Sequence, residues 1–239
     1  MYNMKTFETK EAFAKESAEV IARACHTNFK KDSIPTYIGF SGGKTPSPVY
    51  RYFASQLAPG MDAHIYGALV DERYVPTTAP TSNWRVIKRD ILNLLPKGKK
   101  EHTNPVAMID LPETDKPVDQ AVTAYQKHVR ELLVGGATFD LVILGIGEDG
   151  HVASLFPHSP ALSTSEWVAH TMTNNPPVKD RITMTFPLIM QAKKILLLAS
   201  GGKKKAILDR LINGNEAVTK LPAKKLLEHP NLMIHYLVK

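Results

Sequence analysis

Leu141-Val-Ile-Leu-Gly-Ile-Gly-Glu-Asp-Gly-His151 decides how this chain is read. Four apolar residues in succession suit a strand buried on both faces. Gly145, Gly147 and Gly150 then prevent it from simply continuing, because glycine marks a sharp turn or a close backbone approach. The turn delivers Asp149 and His151 to the carboxyl end of that strand. In open α/β sheets ligands bind at that end, so an acid beside an imidazole there points to proton-transfer chemistry.

Outward from this stretch, residues 11–30 space Phe13, Ser17, Val20, Ile21 and Ala24 on one helical face. Residues 36–40 predict a short strand that ends at Ser41-Gly-Gly-Lys-Thr-Pro46, whose proline suits the first turn of a helix running to about Leu57. A strand over 64–70, a loop over 71–81 and a helix from Ser82 through Leu95 follow, with the Ser82 hydroxyl as the expected cap. Further along, the pattern predicts a helix over 115–134, strands over 139–144, 181–186 and 194–199, a helix over 202–212 and a closing strand over 231–238. Strands alternating with helices imply an α/β fold: a mostly parallel sheet flanked by helices on both faces, as one domain over 1–239. The least regular region, 156–179, holds Pro157, Pro160, Pro176 and Pro177 and is expected to wrap over the site.

Composition narrows the class. With 239 residues and 43% hydrophobic content, the chain can bury the core of a large α/β domain. A single cysteine, Cys25, rules out an internal disulfide and sits in the first helix, where burial is expected rather than catalysis. The first ten residues lack an apolar signal core and no apolar run is long enough to span a bilayer, so a cytoplasmic location without a membrane partner is expected. The net charge is +7 and the isoelectric point near 9.3, with much of the excess in lysine runs at 97–100, 203–205 and 224–225. Such runs read as solvated faces. No nucleic-acid motif or aromatic-basic interleaving accompanies them, so the field is read as attracting a small anion rather than nucleic acid.

Three motifs match by letter. Gly145-x-Gly147-x-x-Gly150 fits a dinucleotide fingerprint, which requires a helix beginning at the glycines, whereas Pro157 and Pro160 follow here. Ser41-Gly-Gly-Lys-Thr45 approaches a Walker loop, but the first glycine would fall on Ile38. Gly39-Phe-Ser41-Gly-Gly43 satisfies the nucleophile elbow of a serine esterase. The same loop, with Ser41, Gly42, Gly43, Lys44 and Thr45 at a helix N-terminus, is also a phosphate cradle, because free amides and the helix dipole favour an anion. A tight turn without a ligand is the third reading. His151 and His158 lack the spacing of zinc-binding helices, and neither a metal nor a cofactor is expected.

Together, Ser41-Gly-Gly-Lys-Thr-Pro46, Asp71-Glu-Arg-Tyr-Val-Pro76 with Ser82-Asn83, and Gly145-Ile-Gly-Glu-Asp-Gly-His-Val-Ala-Ser-Leu-Phe-Pro157 resemble the 6-phosphogluconolactonase family. Arg181-Ile-Thr-Met-Thr-Phe-Pro187 and Gly202-Lys-Lys-Lys-Ala206 extend the resemblance over nearly the whole chain, in order. It implies a Rossmann-like α/β fold and hydrolysis of 6-phosphoglucono-δ-lactone to 6-phosphogluconate in the oxidative pentose phosphate pathway. No metal or organic cofactor is implied, and the partner is a small phosphorylated sugar lactone.

On that reading the chemistry divides among named residues. Lactone hydrolysis needs a base for water, a cation or donor for the oxyanion, and a proton for the ring oxygen. His151 is assigned as base and then acid, since imidazole titrates near neutrality, and Asp149 as the group that orients it. Arg73 stabilises the oxyanion or binds phosphate, unless it forms a salt bridge to Asp71 or Glu72 within its loop. Asn83 holds a sugar hydroxyl or caps its helix. Arg181 and Lys205 anchor the phosphate with the amides of Gly42, Gly43 and Thr45. The family pattern, a lysine three after glycine and before alanine, selects Lys205 and leaves Lys203 and Lys204 solvated.

Glucosamine-6-phosphate deaminases resemble the same pattern but carry a glutamate five positions after the histidine, where this chain has Phe156; Asp71, the next catalytic candidate as base after His151, could still act as a base there. A serine esterase using Ser41 and a non-catalytic sugar-phosphate sensor are the other readings. Many family members carry threonine where this chain has Val152 and glycine where it has His158. The oligomeric state is left open.

Overall fold

A computed structural model of the chain describes residues 2–30, 34–57, 64–95, 109–174 and 177–239; the lysine run at 97–100 and Pro176 lie outside them. The elements run β1 (Asn3–Phe7), α1 (Lys10–Lys30), β2 (Thr36–Phe40), α2 (Ser47–Gln56), β3 (Ile65–Leu69), β4 (Asp71–Arg73), α3 (Asn83–Asp90) and β5 (Ile109–Asp110). Then follow α4 (Val118–Leu132), β6 (Leu141–Gly145), β7 (Val168–Met172), β8 (Asp180–Met184), α5 (Phe186–Ile189), β9 (Ile195–Ser200), α6 (Gly202–Asn213) and β10 (Leu232–Leu237).

Seven strands form a sheet in the order β1-β10-β9-β6-β2-β3-β5, every described pair parallel. The expected α/β architecture is therefore found. Successive residues of one strand serve two apolar layers. Val142 and Leu144 pack with Tyr125 and Val129 of α4 and Ile207 and Leu211 of α6. Leu141 and Ile143 pack with Phe13 and Ile21 of α1, Phe53 of α2 and Ile87 of α3. Burial on both faces is why such strands read as continuous apolar runs rather than alternating ones. Cys25 belongs to the second layer, and burial pushes its thiol up to about 12, so it is no nucleophile near neutral pH.

Several expectations are corrected. The segment after β3 is not a plain loop: Asp71–Arg73 form β4, which pairs antiparallel with β8, and β8 pairs with β7 to give a second, three-stranded sheet. Strand β7 lies inside the stretch expected to be irregular. The helix expected to reach Leu95 stops at Asp90 and continues as a short 3-10 turn over Leu92–Leu94. Ser82 does occupy its N-cap, but without a side-chain cap; its hydroxyl donates to the Glu72 carboxylate instead. Strands β1 and β5, at the two edges of the large sheet, carried no strand signal strong enough to predict. Among the described residues, no helix is long and apolar enough to cross a membrane.

Candidate active site

The strand order reverses between β2 and β6, which lie side by side with Ile38 opposite Leu141. After β2 the chain builds toward β3 and β5; after β6 it builds toward β9 and β10. Loops leaving two such strands must part, and the crevice between them is where open α/β sheets bind ligands. Here the loops 41–46 and 145–151 border a cleft of about 600 Å³, and the small sheet supplies a further wall.

Local chemistry shapes the second loop. Asp149 Oδ1 accepts from the His151 backbone N–H (3.1 Å) and lies 2.6 Å from His151 Nδ1. A carboxylate only accepts, so Nδ1 carries the proton and Nε2 keeps its lone pair. Burial pushes the Asp149 carboxyl upward, but the hydrogen bond and charge of His151 outweigh it and hold the group below its ordinary value. Gly147 is needed for this pair, because a Cβ there would lie 2.1 Å from His151 Nδ1 and 2.4 Å from Asp149 Oδ1. The Phe156 ring packs on the imidazole with centroids 4.7 Å apart. Two residues past His151, Ala153 takes φ 52°, a left-handed conformation unusual for a side-chain-bearing residue. His158 has φ 63°, which accounts physically for the glycine that the family resemblance places there, and Val152 is fully buried.

The small sheet adds a buried polar cluster. Asp71 Oδ2 accepts from Ser154 Oγ (2.7 Å), and Asn83 Nδ2 donates to the Asp71 carbonyl (2.8 Å) and to its Oδ1 (3.2 Å). Asn83 in turn sits against Gly42, where a Cβ would come within 2.0 Å of its Oδ1, so the first loop closes onto the wall only with glycine at that position.

Cations complete the cleft. Arg73 stands opposite Arg181 across the β4–β8 ladder. The Arg73 guanidinium donates to the Thr81 carbonyl (2.5 Å), while Glu72 accepts from the Arg73 backbone N–H; among the described residues, the alternative of a salt bridge from Arg73 to Asp71 or Glu72 is not found. Burial first, and then the charge of Arg73, lower the pKa of Arg181. Burial also lowers that of Lys204, against the pull of Glu148 and Asp149. Cations that burial disfavours in this way, sharing one cleft, are relieved by an anion.

Of the residues singled out from the sequence, the structure brings His151, Asp149, Arg73, Asp71, Ser41, Gly42, Gly43, Lys44, Thr45, Asn83 and Arg181 to this one cleft. It does not bring Lys205, which is exposed and paired with Asp209 (2.7 Å) one helical turn on. Lys204 lines the cleft instead. Adjacent helical residues point about 100° apart, so only one of three consecutive lysines can face inward, and the docking of α6 rather than the letter pattern selects it. Ser154 and Glu72 were also missed as site-building residues; they stood inside the quoted motifs, but the side-chain bonds that distinguish them join distant segments. Among the described residues, no group of three or more His, Cys, Asp and Glu side chains converges as a metal would require.

Three buried polar atoms at the cleft have no hydrogen-bond partner: Ser41 Oγ, Asn83 Oδ1 and Arg181 Nη1. Buried groups are ordinarily paired, so three unpaired ones on residues that line one cleft point to a polar ligand at that cleft. The same observation weakens the esterase reading, since Ser41 Oγ has no imidazole bonded to it and Ser41 does not adopt the strained positive φ of a nucleophile elbow.

Comparison with known proteins adds an independent line. A family model described as glucosamine-6-phosphate isomerases/6-phosphogluconolactonase matches residues 8–234. A Dictyostelium discoideum protein named "Probable 6-phosphogluconolactonase" is 30% identical over 239 residues, covering 99% of this chain and 98% of that protein. The Homo sapiens 6-phosphogluconolactonase is 30% identical over 206 residues, covering 84% of this chain and 77% of its own. The crystal structure of 6-phosphogluconolactonase from Thermotoga maritima superposes with a TM-score of 0.81 at 27% identity, covering 100% of both chains.

Proposed function

The chain belongs to the glucosamine-6-phosphate isomerase/6-phosphogluconolactonase family, and from that premise we propose that it hydrolyses 6-phosphoglucono-δ-lactone to 6-phosphogluconate, a step of the oxidative pentose phosphate pathway. One observation carries the reading: a histidine with a free Nε2, oriented by a carboxylate, shares a cleft with cations and with unpaired buried donors and acceptors.

The substrate phosphate takes Arg181 and Lys204, with the amides of the 41–45 loop as further donors. Lys204 replaces Lys205 in this role. His151 Nε2 removes a proton from water as the oxygen attacks the C1 carbonyl, and the Asp149 carboxylate stabilises the imidazolium that forms. The Arg73 guanidinium stabilises the tetrahedral oxyanion. Collapse breaks the bond from C1 to the ring oxygen, and the imidazolium returns its proton to that oxygen. Ser41 and Asn83 accept from or donate to sugar hydroxyls. Asp71, held by Asn83 and Ser154, shapes the wall rather than moving protons.

Phe156 speaks against deamination. It occupies the position where the deaminase resemblance requires a glutamate, and its ring lies on His151, so no carboxylate reaches the imidazole from there. The test is the rate of lactone hydrolysis, with spontaneous opening subtracted, for the wild type and for His151→Ala. Strong wild-type turnover that collapses in the folded variant is expected. Undiminished turnover would remove His151 from the mechanism, and an inactive wild type would sink the lactonase assignment.

A further inference from the structure

We propose that Glu72, which does not line the cleft, is a positioning residue: it brackets β4 to the N-terminus of α3 so that Arg73 and Asn83 meet the substrate from fixed places. The proposal rests on the lactonase reading for its kinetic consequences, though not for its geometry.

The pleat of β4 sets up the arrangement. Asp71 and Arg73 reach the cleft, and Glu72 between them points to the other side, where it is fully buried. A buried carboxylate ordinarily needs a cation, yet among the described residues no ion pair includes Glu72. Four donors take that place. Oε1 accepts from the N–H groups of Arg73 (2.7 Å) and Asn83 (2.7 Å), and Oε2 from Ser82 Oγ (2.9 Å) and the Trp84 N–H (2.8 Å). Two of these are free amides of the first turn of α3, which a helix usually satisfies with its own N-cap side chain. Here Ser82 occupies the N-cap and gives its hydroxyl to Glu72 rather than capping.

A helix can be capped locally by a serine, so capping alone does not account for a buried acid reaching across from a strand. What the crossing accomplishes is geometric. It locks residues 71–73 to residues 82–84, the two segments that carry Asp71, Arg73 and Asn83. The Asn83 amide then closes the bracket from the cleft side by gripping Asp71, while its Oδ1 packs against Gly42 of the first loop. The Arg73 guanidinium, tied to the Thr81 carbonyl one residue before Ser82, depends on the same junction.

Glu72→Gln is the discriminating change. It keeps the shape and one acceptor oxygen, but its NH2 must face at least one N–H that now has no acceptor. The expected result is a folded protein with KM for 6-phosphoglucono-δ-lactone within threefold of wild type, because Arg181 and Lys204 hold the phosphate elsewhere. Its kcat falls about ten- to a hundredfold, because Arg73 acts on charge that appears only in the transition state. In an Arg73→Lys background, where the planar fork is already lost, adding Glu72→Gln costs less than a further threefold.

Unchanged kcat in the folded variant overturns the proposal, as do losses that simply multiply in the double variant. So does a loss that disappears when the assay is cooled well below the variant's Tm, which would mark Glu72 as structural only. If the wild type itself does not hydrolyse the lactone, the functional reading fails separately. The bracket is then judged by the Arg73 Nε–H resonance, which shifts in Glu72→Gln if Glu72 fixes that side chain and stays in place if it does not.

Discussion

Replacing Gly147 by alanine separates the His151–Asp149 pair, proposed above as catalytic, from the fold that carries it. The backbone tolerates the change, because Gly147 is not among the residues with positive φ. Restricting the unfolded chain even favours alanine by about 0.4–1 kcal/mol. The added Cβ, however, would lie 2.1 Å from His151 Nδ1, whereas ordinary contact begins at 3.4 Å, so the ring must retreat by about 1.3 Å. Asp149 Oδ1, 2.4 Å from the same Cβ, must retreat by about 1.0 Å as well, so the 2.6 Å contact cannot stay where it is and the pair is displaced or broken. A misplacement of about 1 Å in a reacting group costs on the order of a hundredfold, and loss of the orienting carboxylate adds to it. Gly147→Ala should therefore lower kcat by about 10² to 10³, some 2.7–4 kcal/mol of barrier, with KM little changed and Tm within a few degrees of wild type. Continuous titration of the acid released, corrected for spontaneous opening, measures the rate, and differential scanning fluorimetry measures Tm. A folded alanine variant with kcat within threefold of wild type would refute both the steric argument and the role of the pair.

Lys204→Ala should raise KM about ten- to a hundredfold, as expected for one charge-assisted phosphate contact, while Lys205→Ala stays within twofold; the opposite ranking in steady-state kinetics would return the anchor to Lys205. A separate test concerns His235, buried in β10 with Nδ1 bonded to Ser17 Oγ (2.8 Å) and Nε2 unpaired. Burial first, and then the charge of Lys5, push its pKa down to about 4, against about 6.5 for an unfolded histidine. The unfolded state therefore takes up a proton that the folded state refuses, so this contribution to stability is complete above about pH 6.5 and is lost progressively toward pH 4. The loss amounts to about 3 kcal/mol. Urea unfolding of the Ser17→Ala/His235→Phe double variant should show that part of the acid loss removed, and a pH dependence identical to wild type would contradict the linkage.

The sequence by itself determined the strands of the sheet interior and the loops at their carboxyl ends. A strand buried on both faces announces itself as an apolar run, as at 139–144 and 194–199, and glycines that follow it announce a turn without knowledge of any partner. His151, Asp149 and the Ser41–Thr45 loop were legible for that reason, since their placement depends on residues within a few positions of themselves. Tertiary structure decided what depends on distant pairing. Asp71–Arg73 is too short to read as a strand and becomes one because β8 lies beside it. Ser154 matters to the site because it bonds Asp71 across 83 residues of sequence. Lys204 rather than Lys205 faces the cleft because α6 docks with one particular rotation about its axis. Glu72 becomes a bracket only when β4 and α3 are brought together. Local pattern fixes which backbone can form where; the direction in which a side chain finally points, and what it touches, is set by packing between segments that no local pattern contains.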